Sequence, residues 1–110
     1  MAFEINGKTY ETDEDGFLVD LNEWTPEVAS YLAEKQNLVL TDNHWQVINF
    51  LRDYYNDYQL APAVRVLMKA VGKKFGAEKG TSKYLEDLFP AGPSKQGCML
   101  AGLPKPSGCV

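Results

Sequence analysis

The apolar residues of this chain change period near residue 20. Before it, Phe3-Glu4-Ile5 and Lys8-Thr9-Tyr10-Glu11 flank Asn6-Gly7, the pair that suits a two-residue type I′ turn, so the chain opens with a β-hairpin. Asp13-Glu14-Asp15-Gly16 is a second turn signal and Phe17-Leu18-Val19 supplies a third short strand, which together predict a small antiparallel three-stranded meander. The acidic turn does not continue into an EF-hand ligand pattern and reads as a solvated turn.

Beyond that point the period is helical. Thr25-Pro26 provides an N-cap and a first-turn proline, and Val28, Ala29 and Leu32 form a stripe that fades at Gln36-Asn37. Thr41-Asp42 caps a second helix, expected to be the central one, in which Trp45, Ile48, Leu51, Tyr55 and Tyr58 recur at three- and four-residue steps. At that spacing aromatic side chains face a core more often than they stack nucleobases. His44 stands in the first turn of this helix with no catalytic partner in view. Ala61-Pro62 opens a third helix with Val64, Leu67, Met68 and Val71 on one face and Arg65, Lys69 and Lys73 at four-residue steps on another. Gly76 and Gly80 mark a loop, Thr81 or Ser82 caps a short helix through Leu88, Pro90 stops it, and Gly92-Pro93 releases an arm. The expected architecture is α+β: a folded domain over 1–92 and a flexible C-terminal arm over 93–110.

Composition narrows the class. With 110 residues, 45% of them hydrophobic, the chain makes one domain with one modest core. No stretch approaches the ~20 apolar residues that span a membrane. Met1-Ala2-Phe3-Glu4-Ile5 has neither the basic nor the apolar region of a secretory signal. The expected location is therefore cytoplasmic, where a permanent disulfide is disfavoured. The formal charge of −4 is uneven: residues 90–110 carry Lys95 and Lys105 and no acidic side chain, which leaves the rest of the chain at −6. A basic arm on an acidic body favours an anionic destination for the arm.

Both cysteines, Cys98 and Cys109, lie in the last fifteen residues, each preceded by a glycine that leaves little bulk beside the sulfur. Both thiols are expected to be presented. Between them, Ala101-Gly102 reads as a hinge and Pro104-Lys105-Pro106 as a stiff extended unit. The intervening residues reach at most ~33–36 Å at ~3.3–3.6 Å each, and such a loop also folds back to close a disulfide. One histidine and two cysteines in no zinc-type spacing disfavour a metal site. A free thiol ionises near pH ~8.5, and the C-terminal carboxylate opposes ionisation of Cys109, so a reactive thiolate there calls for a cation. Arg65 is the first candidate and Lys105 the local one. With Lys69 and Lys73, Arg65 forms a stripe suited to DNA phosphates, to an acidic partner, or to the arm's own carboxylate and thiolate; such a face is most often simply solvated.

Leu88-Phe89-Pro90-Ala91-Gly92-Pro93, Lys95-Gln96-Gly97-Cys98 and Ala101-Gly102-Leu103-Pro104-Lys105-Pro106-Ser107-Gly108-Cys109-Val110 closely resemble the DsrC/TusE/DsvC family. The likeness extends upstream through Asp15-Gly16-Phe17, His44-Trp45, Phe50-Leu51-Arg52-Asp53-Tyr54-Tyr55 and Ala61-Pro62-Ala63-Val64-Arg65-Val66-Leu67. TusE-type members, which relay sulfur to transfer-RNA thiolation, keep the penultimate cysteine without its upstream companion, so Cys98 places the chain nearer the DsrC type. The resemblance implies a three-stranded meander on helices, a helix-turn-helix-like portion and a mobile arm. It implies further that Cys109 carries persulfide sulfur into the cleft of dissimilatory sulfite reductase, and that Cys98 joins it in an intramolecular disulfide or trisulfide resolved by a membrane thiol–disulfide redox complex. The siroheme and iron–sulfur clusters would belong to the reductase, and this chain would hold no cofactor. The segment Gly72–Ser82 resembles the longer form of sulfur-oxidising members, in which a DsrEFH-type transferase would load Cys109.

Two other classes stay open. A DNA-binding regulator would use Arg65, Lys69 and Lys73 as its recognition surface, against the acidity of the body. A stand-alone thiol oxidoreductase would use Cys98 and Cys109 as a redox couple, but without Cys-x-x-Cys spacing. A monomer that associates with larger complexes is the expected state.

Overall fold

The computed structural model describes residues 1–106. Among these residues, two antiparallel strands and five α-helices make up an α+β fold. β1 (Ala2–Ile5) and β2 (Lys8–Glu11) pair with Phe3 opposite Tyr10. Asn6 and Gly7 have φ of 51° and 84°, the two positive values a type I′ turn requires. Phe3 stacks on Tyr10 at 5.2 Å and on Tyr31 at 4.8 Å, which fastens the hairpin to α1 (Pro26–Lys35).

The expected third strand is not one. Phe17-Leu18-Val19 returns beside β2 but makes a single bridge, Leu18 to Thr12, with the Val19 N–H donating to the Glu11 carbonyl at 3.0 Å. Neighbouring strand residues point to opposite faces. Here Phe17 and Leu18 both enter the core, so a strand ladder cannot continue. Asp13 closes the acidic turn before them, its Oδ1 accepting the N–H groups of Asp15 and Phe17, each at 2.9 Å.

In α1, Thr25 Oγ1 accepts the Val28 N–H and Pro26 sits in the first turn, as the sequence predicts. α2 (Asp42–Tyr58) buries Ile48 and Leu51, with Trp45 and Tyr55 half-buried beside them. Tyr58 leaves the stripe: it is 65% exposed and meets the Tyr54 ring at a tilt of 47° at the end of the helix. α3 (Val64–Phe75) starts after Ala61-Pro62 rather than at it, and buries Leu67 and Val71. α4 (Ser82–Leu88) is capped by Thr81.

The largest correction concerns residues 93–103, expected to be arm. Pro93–Leu100 form α5, which packs on α1, α2, α3 and α4 and buries Pro93, Ser94, Gln96, Gly97, Cys98 and Leu100. α5 is thus the element the helices surround, in place of α2. Its buried polar groups are satisfied: Gln96 Oε1 accepts the Ala91 N–H, and Gln96 Nε2 donates to Gln36 Oε1 at 2.6 Å. A Cβ at Gly97 would lie 3.0 Å from Leu51 Cδ1, so its missing side chain lets α5 close on α2. Among the described residues, no helix is long and apolar enough to cross a membrane.

Candidate functional site

Cys98 is the cysteine the structure describes, and it is 0% exposed in the middle of the core. The expectation that both thiols are presented fails for it. A glycine before a cysteine marks flexibility in an arm, but Gly97 serves close helix packing instead. Burial pushes the Cys98 thiol from an ordinary 9.0 up to about 12, partly offset by a hydrogen bond with the Ser94 side chain. It is therefore a neutral thiol near neutral pH, and a weak nucleophile.

The C-terminal end of α5 is held with unusual completeness. Gly102 takes φ +73°, the Leu103 N–H donates to the Cys98 carbonyl at 3.0 Å, and the Gly102 N–H donates to the Met99 carbonyl at 3.2 Å. That pair of bonds is a Schellman motif in which Cys98 supplies the long-range acceptor. The two carbonyls it leaves over have side-chain partners. Trp24 Nε1–H donates to Leu100 at 2.7 Å, and Arg52 Nη1–H donates to Ala101 at 2.6 Å. The Arg52 guanidinium lies 4.2 Å from the Trp24 ring centre, a cation–π stack, and burial lowers its pKa from the ordinary value. A Cβ on Gly102 would fall 2.5 Å from Trp24 Cδ1, so this turn admits only glycine.

From that turn the chain stays attached. Leu103 is 1% exposed, Lys105 Nζ meets Asp15 Oδ2 at 3.1 Å, and Pro106 is buried. Cys109 lies outside the described residues. Lys105, expected as its local cation, is paired with Asp15. Arg65, Lys69 and Lys73 do form an exposed row on α3, as predicted. The ion pairs among the described residues join Lys8 to Glu23, Lys83 to Asp87 and Lys105 to Asp15, so the row takes part in none of them. No group of three or more His, Cys, Asp or Glu residues is placed to hold a metal ion among the described residues.

His44 has a structural task. Its Nδ1 accepts from the Thr41 N–H at 3.0 Å and faces Thr41 Oγ1 at 2.8 Å, while Nε2 meets the Leu88 carbonyl at 2.7 Å. This arrangement fits the neutral tautomer protonated on Nε2, tying the start of α2 to the end of α4. Trp24, Arg52 and Ser94 were not singled out by sequence reasoning. The available signals for α5 are the Gly92-Pro93 start, which reads equally as the release of an arm, and the Ala101-Gly102 stop, which reads equally as a hinge.

The chain belongs to the DsrC family: the model described as DsrC like protein matches residues 4–110. Sulfurtransferase TusE homolog of Haemophilus influenzae is 50% identical over 106 residues, covering 96% of this chain and 97% of that protein. The NMR structure of Allochromatium vinosum DsrC is 62% identical, with a TM-score of 0.91 and full coverage of both chains. The oxidized gamma-subunit of the dissimilatory sulfite reductase (DsrC) from Archaeoglobus fulgidus is 44% identical, with a TM-score of 0.86 and full coverage of both chains.

Proposed function

We propose that this protein is a sulfur carrier in which Cys109 takes up and delivers persulfide sulfur and Cys98 closes the cycle. The carrying observation is the sequestration of Cys98. A thiol held neutral at 0% exposure is unsuited to first contact with a donor, so acquisition falls to Cys109. In loading, the Cys109 thiolate attacks the outer sulfur of a donor persulfide and the donor thiolate leaves, with no net oxidation. In closure, the Cys98 sulfur bonds to the Cys109 sulfur, the outer sulfur departs as hydrogen sulfide, and a disulfide remains. A trisulfide forms instead when two electrons and two protons pass to a thiol–disulfide redox partner. Dissimilatory sulfite reductase is the proposed delivery partner, supported by the description of the Archaeoglobus fulgidus relative. The resemblance of the segment Gly72–Ser82 to the longer form of sulfur-oxidising members favours sulfur oxidation, with a DsrEFH-type transferase as donor.

The names of the TusE relatives favour a second reading, a relay toward another sulfur acceptor, which shares the loading step and dispenses with closure. Mass spectrometry after brief exposure to polysulfide separates the two. Added sulfur at Cys109, absent in Cys109→Ser and retained without closure in Cys98→Ser, is the outcome expected of a closing carrier. Loading without closure in the wild type selects the relay. Equal loading of Cys109→Ser overturns both.

A further inference from the structure

α2 and α3 meet where Phe50 and Phe75 pack edge to face at 5.8 Å, and beside that contact lies an open cleft of about 420 Å³ lined from both helices. From α2 come the rings of Phe50, Tyr54 and Tyr58, and from α3 the small Ala70. Asp53 and Asp57 line it on the α2 side, Lys73 and Lys74 on the α3 side. Lys74 is engaged with the closed end, its Nζ 5.6 Å from the Phe50 ring centre and 5.7 Å from that of Phe75. Lys73 continues the exposed row of Arg65 and Lys69.

This arrangement does little for the chain that carries it. Asp53 and Asp57 stand four residues apart on one helix face, a like-charge spacing that weakens a helix. Asp57 also lies in the last turn of α2, where the free carbonyls are partially negative, and no basic residue shares that turn. Neither carboxylate joins an ion pair among the described residues, and neither lysine of the cleft does. Between these rows of opposite sign Tyr58 remains 65% exposed. Exposed aromatic surface rimmed by charge is the composition of a contact surface.

We propose that the cleft between α2 and α3 docks an amphipathic helix of a partner protein. One edge of that helix carries Arg or Lys against Asp53 and Asp57, and the other carries Asp or Glu against Lys73 and its row. An apolar stripe between the edges packs on Tyr54, Tyr58 and Ala70. The cationic edge gains from three sources at once: the carboxylates, the negative end of α2 and the faces of the tyrosine rings. A helix suits the cleft because it offers basic, apolar and acidic stripes together, whereas a strand has only two faces. Its four-residue steps rise by ~6 Å, the step of the rows it meets. Exposed pairs of this kind are individually weak, so the surface selects a partner by charge and speeds encounter more than it holds on. The proposal uses neither cysteine, so its failure leaves the carrier reading standing.

The test titrates the isotope-labelled full chain, at physiological salt, with synthetic helical peptides that share a leucine stripe. One has arginine on one edge and glutamate on the other, a second has arginine on both edges, and a third has glutamate on both. Amide shifts confined to 50–58 and 69–74 are expected, with the mixed peptide binding about ten-fold more tightly than either of the others. Joint Asp53→Lys and Asp57→Lys replacement, at two exposed positions whose fold circular dichroism checks, should weaken the mixed peptide about ten-fold and turn the preference to the all-glutamate one. Tyr58→Ala should weaken the mixed peptide without changing the order of preference. Shifts outside the cleft, or none with any peptide, overturn the proposal. Tightest binding of the all-arginine peptide to wild type also overturns it, since that marks general attraction to an acidic body. So does an affinity that the charge reversal leaves unchanged, which marks an apolar patch without charge recognition.

Discussion

A thiol that ionises near 9.0 in the unfolded chain and at about 12 in the folded one makes stability depend on pH. The folded state holds the Cys98 proton more tightly, so this contribution is whole below 9.0 and is lost as pH rises toward 12. The loss amounts to about 1.4 kcal/mol for each pH unit above the unfolded value. Urea unfolding of wild type and Cys98→Ala at several alkaline pH values should give curves that converge as pH rises, the alanine variant starting lower because of its cavity. Parallel curves would show that Cys98 ionises without cost, and the burial argument would fail. Gly102 supplies a second residue-scale test. Alanine there meets both a left-handed φ, which costs about 1–2 kcal/mol, and the Trp24 ring. Gly102→Ala should lose about 3 kcal/mol or more once overpacking is added. Its Cys98 should also alkylate faster than in wild type. The identity of Cys98 was plain in the sequence, but its environment was not: Gly97-Cys98 reads the same whether glycine confers freedom or permits close approach.

The same ambiguity operates at the scale of the element. Four helices are legible because each carries an apolar stripe and a start signal, a capping threonine for α1, α2 and α4 and a proline before α3, as in Thr25-Pro26 with Val28 and Leu32. α5 has only eight residues, and it is buried nearly all round, so no amphipathic stripe distinguishes it. Its interior includes Ser94 and Gln96, whose partners Pro62 and Gln36 lie far away in sequence. Tertiary contacts therefore decide the element, and the local pattern does not. The absence of a third strand among the described residues has a related reason, since Phe17 and Leu18 look like strand residues until both are required inside. What holds the end of α5 is equally non-local. Trp24→Phe keeps most of the ring and removes the donor to Leu100, which should cost about 1–2 kcal/mol. Amide exchange at 98–103 should accelerate while the β-hairpin keeps its protection. Uniform acceleration across the chain would mean that the bond supports the whole fold and does not specifically hold this turn.

For the whole molecule, the tension is between a buried Cys98 and the proposed closure, which would need it exposed. Closing a disulfide across the ten residues between the cysteines would by chain entropy alone add about 3 kcal/mol of stability. The chain between the cysteines leaves Cys98 through the last turn of α5, and if closure requires that turn to open, it acts against this gain. Opening that turn forfeits the Schellman pair and the Trp24 and Arg52 bonds, each worth about 1 kcal/mol net. It also withdraws Leu103 from the core, at about 1.5–3 kcal/mol for an aliphatic side chain of this size. The losses outweigh the gain, so closure should leave the protein no more stable than its reduced form, and locally looser. Thermal unfolding of the closed and reduced proteins, with exchange measured at 98–103, tests this directly. A midpoint that does not rise, with faster exchange confined to those residues, is expected. Such a form would differ physically from the resting carrier, giving a redox partner a surface by which to recognise the spent one. A closed form that gains the full 3 kcal/mol or so and keeps 98–103 protected would mean that Cys109 reaches Cys98 without opening the turn. Sequestration would then no longer assign the order of the two thiols.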